Sequence, residues 1–78
     1  MNLEREMALV EAILFMENEP LDPKSIARIA GLSKEAVDVV LEQLQDHYSG
    51  AACHGLVLSQ LEGAWHLTPK KELQEHLR

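Results

Sequence analysis

Residues 22–48 read DPKSIARIAGLSKEAVDVVLEQLQDHY and decide the fold of this 78-residue chain. Asp22 can accept hydrogen bonds from the first free N–H groups of a helix, and Pro23 suits the first helical position after it. Gly31 supplies the left-handed residue that ends this helix, and Ser33 can cap the next one. The stretch therefore predicts two helices joined by a tight turn, which together form a helix-turn-helix.

Apolar side chains recur in these two helices where a helix-turn-helix needs them to face one core. They are Ile26, Ala30, Leu32, Val37 and Val40, with the small Ala27 where the helices cross. The second helix is expected from about Lys34 to Tyr48. Its inner stripe consists of Val37, Val40, Leu41, Leu44 and Tyr48. Caps, glycine and apolar spacing all indicate the same motif.

A helix with an unusual amount of apolar surface is expected before the motif, from Leu3 to about Glu17. One stripe has the spacing of a core-facing surface and consists of Leu3, Met7, Val10 and Leu14. A second apolar set lies mostly on the other side and consists of Ala8, Leu9, Ala12, Phe15 and Met16. A helix that is apolar on several sides is buried on several sides. It is either the central core helix or a helix that meets a second polypeptide, most simply another copy. The second interpretation predicts a contact set of Leu9, Ala12, Phe15 and Met16.

The last third of the chain predicts a β-hairpin. Leu56–Leu61 has alternating side chains, Glu62-Gly63 is a hairpin turn signal, and Ala64–Thr68 is the returning strand. Trp65 on this hairpin has two interpretations. It caps the small core, or it is an exposed anchor in the interface, where tryptophan is enriched.

Short segments complete the expected architecture. Leu21 is expected to make a short extended contact before the motif, and residues 49–52 are expected to form a loop. Lys70–Leu77 is expected to form a last helix after Pro69, with Thr68 as its cap. The order is helix, short strand, helix, helix and hairpin. This is a mainly α fold with a small β-hairpin, a winged helix-turn-helix, in a single domain over residues 1–78.

Composition and spacing exclude several classes of function. The single Cys53 cannot form an internal disulfide, which favours a reducing, cytosolic setting. The longest uninterrupted apolar run, Ala12–Met16, is far shorter than the roughly 20 residues that a membrane span needs. Cys53 and His54 do not combine with His47 and His66 at the spacing of a zinc site. No metal, cofactor or catalytic set is predicted, so the chain is not expected to be an enzyme.

The outward-facing side of the second motif helix has the wrong charge for DNA. Its acidic residues are Glu35, Asp38, Glu42 and Asp46. With Lys34 as the one base, residues 33–48 have a net charge of −3, in a chain whose net charge is −6. Each acid near a phosphate would repel it, and the turn at Glu62 offers no cation for a minor groove. Protein–protein interaction is therefore the predicted use of the fold, and a DNA-binding winged-helix transcription regulator is the alternative.

Several short motifs carry a resemblance to a known family. They are Glu11–Phe15, Glu19–Leu21, Ile29–Ser33, Val37 with the Leu41/Leu44 stripe, Gly55-Leu56, Glu62-Gly63, Trp65, and Leu67-Thr68 before a proline. In this order they span nearly the whole chain. The sequence resembles the segregation and condensation protein B family, the bacterial winged-helix subunits of the SMC chromosome-condensing complex.

This resemblance implies a cytoplasmic, non-enzymatic protein that takes part in chromosome condensation and segregation. The family dimerises through its first winged-helix domain and binds the kleisin subunit, segregation and condensation protein A, and through it SMC. It also has a second winged-helix domain, from which much of the kleisin contact is expected, whereas this chain ends after the first. The resemblance therefore predicts a fragment whose best-preserved role is homodimerisation, with no direct DNA binding and no membrane contact.

Overall fold

The structure is a computed structural model that describes residues 2–50 and 55–77. Within these residues the chain forms three α-helices, α1 (Leu3–Met16), α2 (Pro23–Ala30) and α3 (Lys34–Gly50). Two antiparallel strands follow, β1 (Leu56–Leu61) and β2 (Ala64–Pro69), and a 3₁₀ helix covers Lys71–Leu77. This is the predicted winged helix-turn-helix.

Local capping interactions fix the turn between α2 and α3. The Asp22 carboxylate accepts from the backbone N–H of Ser25 at 2.7 Å. Hydrogen bonds from the side chain and backbone of Ser25 hold the pKa of Asp22 below its ordinary value. Gly31 has φ +71° and ends α2, while the N–H of Leu32 reaches back to the carbonyl of Ala27 at 3.0 Å. The predicted left-handed glycine cap is confirmed.

The other two helices are capped in the same way. The Ser33 hydroxyl accepts from the backbone N–H of Ala36 at 3.1 Å at the start of α3. At the start of α1, the Asn2 side chain accepts from the backbone N–H of Arg5 at 3.2 Å. Each cap satisfies one of the N–H groups that a helix leaves free in its first turn, so the helix starts are encoded locally.

The hairpin forms with the predicted turn. Glu62 and Gly63 have φ values of +51° and +81°, and they connect a strand register that pairs Leu61 with Ala64. Two positive φ values in a two-residue loop match the twist of the strands. On the other edge of β2, Leu21 and Trp65 exchange two backbone hydrogen bonds of 2.9 and 2.7 Å. The short extended contact expected at Leu21 is confirmed, and it ties the hairpin to the helices.

One apolar core joins the three helices and the hairpin. Its buried members are Val10, Leu14, Ile26, Ala27, Val37, Val40, Leu41, Leu44, Tyr48, Leu58 and Trp65. The inner stripe predicted for α3 is buried completely, and the predicted core stripe of α1 is buried at Val10 and Leu14, with Leu3 and Met7 packed against it.

The structure corrects the sequence prediction at two element ends. Ser49 and Gly50 belong to α3 instead of a loop, and the Ser49 hydroxyl donates to the Asp46 carbonyl at 3.2 Å in the last turn. The rest of the expected loop, residues 51–52, lies outside the described residues.

The terminal helix is a 3₁₀ helix that begins at Lys71. The strand pairing of the hairpin extends to Leu56 opposite Pro69. Thr68 pairs with Val57, so it lies within β2 and does not cap the terminal helix as expected.

Among the described residues, no helix combines the length and the apolar character that crossing a membrane requires.

Candidate protein-interaction surface

The side of α1 that faces away from the core carries large apolar side chains. We call this surface the α1 outer face and define it by Leu9, Ala12, Phe15 and Met16, all of them exposed. The Phe15 and Met16 side chains are 73% and 75% exposed. The 3.6-residue period explains this placement, because Val10 and Leu14 turn inward and leave these positions on the opposite side. The predicted contact residues of α1 therefore lie together on one open surface.

An apolar depression of roughly 240 Å³ lies where this face meets α2. It is lined by Ala12, Ile13, Met16, Glu17 and Ile29. Ile29 is 52% exposed, although it belongs to the helix-turn-helix. Sequence reasoning missed its part in this surface. The sequence signal that could have indicated it is a large apolar residue on α2 that does not belong to the core-facing positions of that helix.

Trp65 does not lie on this surface. It is only 9% exposed and belongs to the core, and its backbone is bonded to Leu21. The interpretation of Trp65 as an exposed anchor is therefore wrong, and the alternative, that it caps the core, is confirmed. The backbone bridge explains the difference, because it holds β2 against the helices with the indole directed into the core.

A hydrogen bond fixes α1 relative to α3 at the margin of the α1 outer face. The Tyr48 hydroxyl donates to the carboxylate of Glu11, which lies one helical turn before Phe15. Tyr48 is buried, and its ring meets that of His47 edge to face with centroids 5.6 Å apart. Burial and the hydrogen bond to Glu11 raise the pKa of Tyr48 well above its usual range. This contact holds α1 against α3 beside the α1 outer face.

The side of α3 that faces away from the core has a different chemistry. We call it the α3 outer face, and its exposed members are Lys34, Glu35, Asp38, Glu42, Gln45 and Asp46. Lys34 is the one lysine of α3, and its Nζ lies 3.0 Å from Asp38 Oδ2 in an ion pair within the same helix. The one lysine of this face is therefore paired within its own helix, and the remaining charges on the face are negative.

The histidines and the cysteine considered as metal ligands are only partly described. His47 and His66 lie on α3 and β2, whereas Cys53 and His54 lie outside the described residues. The described ranges contain no group of three or more His, Cys, Asp or Glu residues that could hold a metal ion.

Comparison with known proteins identifies one matching family and several relatives that share its name. The family model described as segregation and condensation complex subunit ScpB matches residues 8–78. Segregation and condensation protein B of Listeria monocytogenes serotype 4b is 32% identical over 79 residues, which cover all of this chain and 40% of that protein. The protein of the same name from Symbiobacterium thermophilum is 32% identical over 69 residues, covering 88% of this chain and 31% of its own length. The chain thus spans about two fifths, or less, of these relatives.

Two solved structures have the same fold. A dimer of a ScpB N-terminal domain in complex with a ScpA peptide superimposes with a TM-score of 0.82 and 33% identity, covering 99% of this chain and 90% of that one. ScpB from Mycobacterium tuberculosis superimposes with a TM-score of 0.86 at 16% identity, covering 99% of this chain and 48% of that one, which supports the fold alone. Because the family model extends over residues 8–78 and agrees with these relatives, the chain belongs to the family of the segregation and condensation complex subunit ScpB.

Proposed function

We propose that this chain is a non-enzymatic winged-helix subunit of the bacterial SMC–kleisin complex, and that it acts through homodimerisation and kleisin binding. Membership of the ScpB family supports the role in chromosome segregation and condensation. The related N-terminal domain that forms a dimer with a bound ScpA peptide supports both interactions. The proposed setting is the cytoplasm, with the chromosome reached through the complex.

The observation that carries the homodimer is the exposure of Phe15 and Met16 on the α1 outer face. Two large apolar side chains about three-quarters exposed beside each other are costly to hydrate. Covering them contributes roughly 25 cal/mol per Å² of apolar area, most of which is offset by the cost of association. A modest net affinity is therefore expected, which suits a subunit that assembles with further partners.

Kleisin binding by this chain rests on the relative that was solved with a ScpA peptide. The family resemblance assigns part of the kleisin contact to a second winged-helix domain. We therefore propose a weaker kleisin interaction for residues 1–78 than for a chain that carries both domains. Titration of a ScpA peptide into the protein by calorimetry tests this, and the absence of heat at high peptide concentration would remove the kleisin part of the proposal.

The homodimer is tested by light scattering of the parent chain and of Met16→Glu. The parent is expected at twice its mass of 8.8 kDa, and Met16→Glu at the monomer mass, because a carboxylate on the α1 outer face cannot be covered without losing its hydration. Val39→Glu is the matched control, since Val39 is 50% exposed on α3 and receives the same new charge. Monomeric masses for the parent and Met16→Glu alike would contradict the homodimer.

A further inference from the structure

We propose that two copies of this chain pair through Phe15, with each phenyl ring inserted into the depression that the other copy forms between α1 and α2. This inference rests on the proposed homodimer and specifies how it is built. It also assigns an interface role to Ile13 on α1 and Ile29 on α2, which the sequence patterns of these two helices do not indicate.

The depression has the character of a receptor for one apolar side chain. Its walls are Ile13, Met16 and Ile29, and the small Ala12 leaves space between them. Glu17 is the one charged residue of the lining. An aromatic ring that enters such a space gains dispersion contacts on several sides and covers the Ile29 side chain, which is otherwise half exposed to water.

Phe15 has the character of the inserted group. Its side chain is 73% exposed and it is not among the residues that line the depression. It nevertheless lies within one helical turn of Ala12 and Met16, which both line the depression. The same patch of one molecule therefore carries a protruding ring and a vacant apolar space side by side.

A two-fold axis explains why these two features belong together. In a two-fold symmetric dimer the same patch of both copies meets itself, so residue i of one copy contacts residue j of the other and the reverse contact also forms. Insertion of Phe15 beside Ile29 of the other copy is therefore made twice. A partner of different sequence would use the ring and the depression only once each.

The available area is consistent with a second copy. A stable interface covers about 600–800 Å² of each partner, which is between a tenth and a seventh of the 5623 Å² surface of this chain. Burial of Phe15 supplies on the order of 100–200 Å² per copy. Leu9, Met16 and Ile29 extend the apolar area around it, and the related N-terminal domain is a dimer.

The first test is Ile29→Glu, analysed by sedimentation at several concentrations. Because Ile29 is half exposed, the variant is expected to fold, and the unchanged fluorescence of the single, buried Trp65 checks this. The dissociation constant of the dimer is expected to rise at least 100-fold. A dimeric Ile29→Glu beside a monomeric Met16→Glu would overturn the Phe15–Ile29 pairing and leave the homodimer intact, whereas a monomeric parent would overturn both.

The second test is disulfide trapping in a Cys53→Ser background, which removes the one native thiol. Phe15→Cys protein is mixed with Ile29→Cys protein and oxidised, and a cross-linked heterodimer is expected. Phe15→Cys mixed with Val39→Cys is the control and is expected to give at most traces. Equal yields from the two mixtures would overturn the proposal.

A ScpA peptide distinguishes the competing occupant of the depression. If the peptide fills it, Ile29→Glu abolishes peptide binding while the dimer mass persists, and that result would also overturn the pairing of two copies through Phe15. If two copies fill it, addition of peptide leaves the cross-linked yield of Phe15→Cys with Ile29→Cys unchanged.

Discussion

The α1 outer face and the α3 outer face are both exposed helix surfaces on the same core, yet they differ in chemistry. The first presents Phe15 and Met16 and an apolar depression, with Glu17 at its margin. The second presents four acids and a lysine whose amino group is paired with Asp38. In winged-helix proteins that read DNA, the surface corresponding to the α3 outer face carries the base and phosphate contacts.

This difference shows how a fold separates from its most familiar function. The core needs only the inner stripes, so the outer faces are free to vary without loss of the architecture. Here the surface that would face a nucleic acid is anionic, while the helix before the motif carries exposed apolar side chains that the core does not use. Function is therefore assigned from the outer faces, and the fold from the inner ones.

The largest effect is expected where the two sides of α3 are compared directly. Val40 is 1% exposed in the core, and its neighbour Val39 is on the outside. Val40→Glu places a carboxylate among buried apolar side chains and is expected to lower the free energy of unfolding by more than about 4 kcal/mol, enough to unfold a small domain. Val39→Glu is expected to change it by no more than about 0.5 kcal/mol. Urea unfolding followed by Trp65 fluorescence measures both, and equal losses would contradict the assignment of inner and outer sides.

The next effect concerns the contact that joins the two helices. Tyr48→Phe removes the hydroxyl that donates to Glu11 and leaves both outer faces unchanged. Because the acceptor is a carboxylate, the expected loss is about 1.5–3 kcal/mol in the free energy of unfolding. Glu11→Gln keeps an acceptor without the charge and is expected to lose less. Urea unfolding at pH 7 and fixed protein concentration gives these values, and a Tyr48→Phe protein as stable as the parent would show that the contact contributes nothing.

The same contact predicts a dependence on alkaline pH. The folded pKa of Tyr48 is raised, so the proton is held more tightly in the folded than in the unfolded chain. The stability that results is complete below the unfolded pKa of about 10 and is lost as the pH rises toward the folded value. The parent is therefore expected to lose its advantage over Tyr48→Phe above about pH 10. Because the chain has one tyrosine, absorbance at 295 nm follows its ionisation directly, and titration at the ordinary pH would contradict the prediction.

Much of this fold could be predicted from sequence because its signals are local. The caps at Asp22 and Ser33, the glycine at the end of α2 and the turn at Glu62-Gly63 each depend on a few adjacent residues. The stripe of α1 was also predictable, since the helical period alone separates Val10 from Phe15.

The features that sequence could not supply depend on how distant elements meet. Ile29 joins the depression only because α2 packs beside the end of α1, and Tyr48 reaches Glu11 across 37 positions of sequence. Trp65 is buried because β2 pairs with Leu21. Residue spacing within one helix or strand contains no information about these crossings.

The smallest effect is the response to salt, and its sign separates the two faces. Both copies in the proposed dimer would have a net charge of −6, so screening of their repulsion is expected to tighten the dimer by a factor on the order of two to five between about 50 and 500 mM salt. A protein surface that bound several DNA phosphates would instead lose about 10³-fold or more of its affinity for DNA between 50 and 200 mM salt. The α3 outer face is expected to show no binding to duplex DNA even at 50 mM, because its one lysine is paired and its acids repel phosphate. Sedimentation of the protein and fluorescence anisotropy of a labelled duplex measure the two responses. A dimer that weakens with salt would place an ion pair at the centre of the interface, where the Phe15 pairing requires apolar contact.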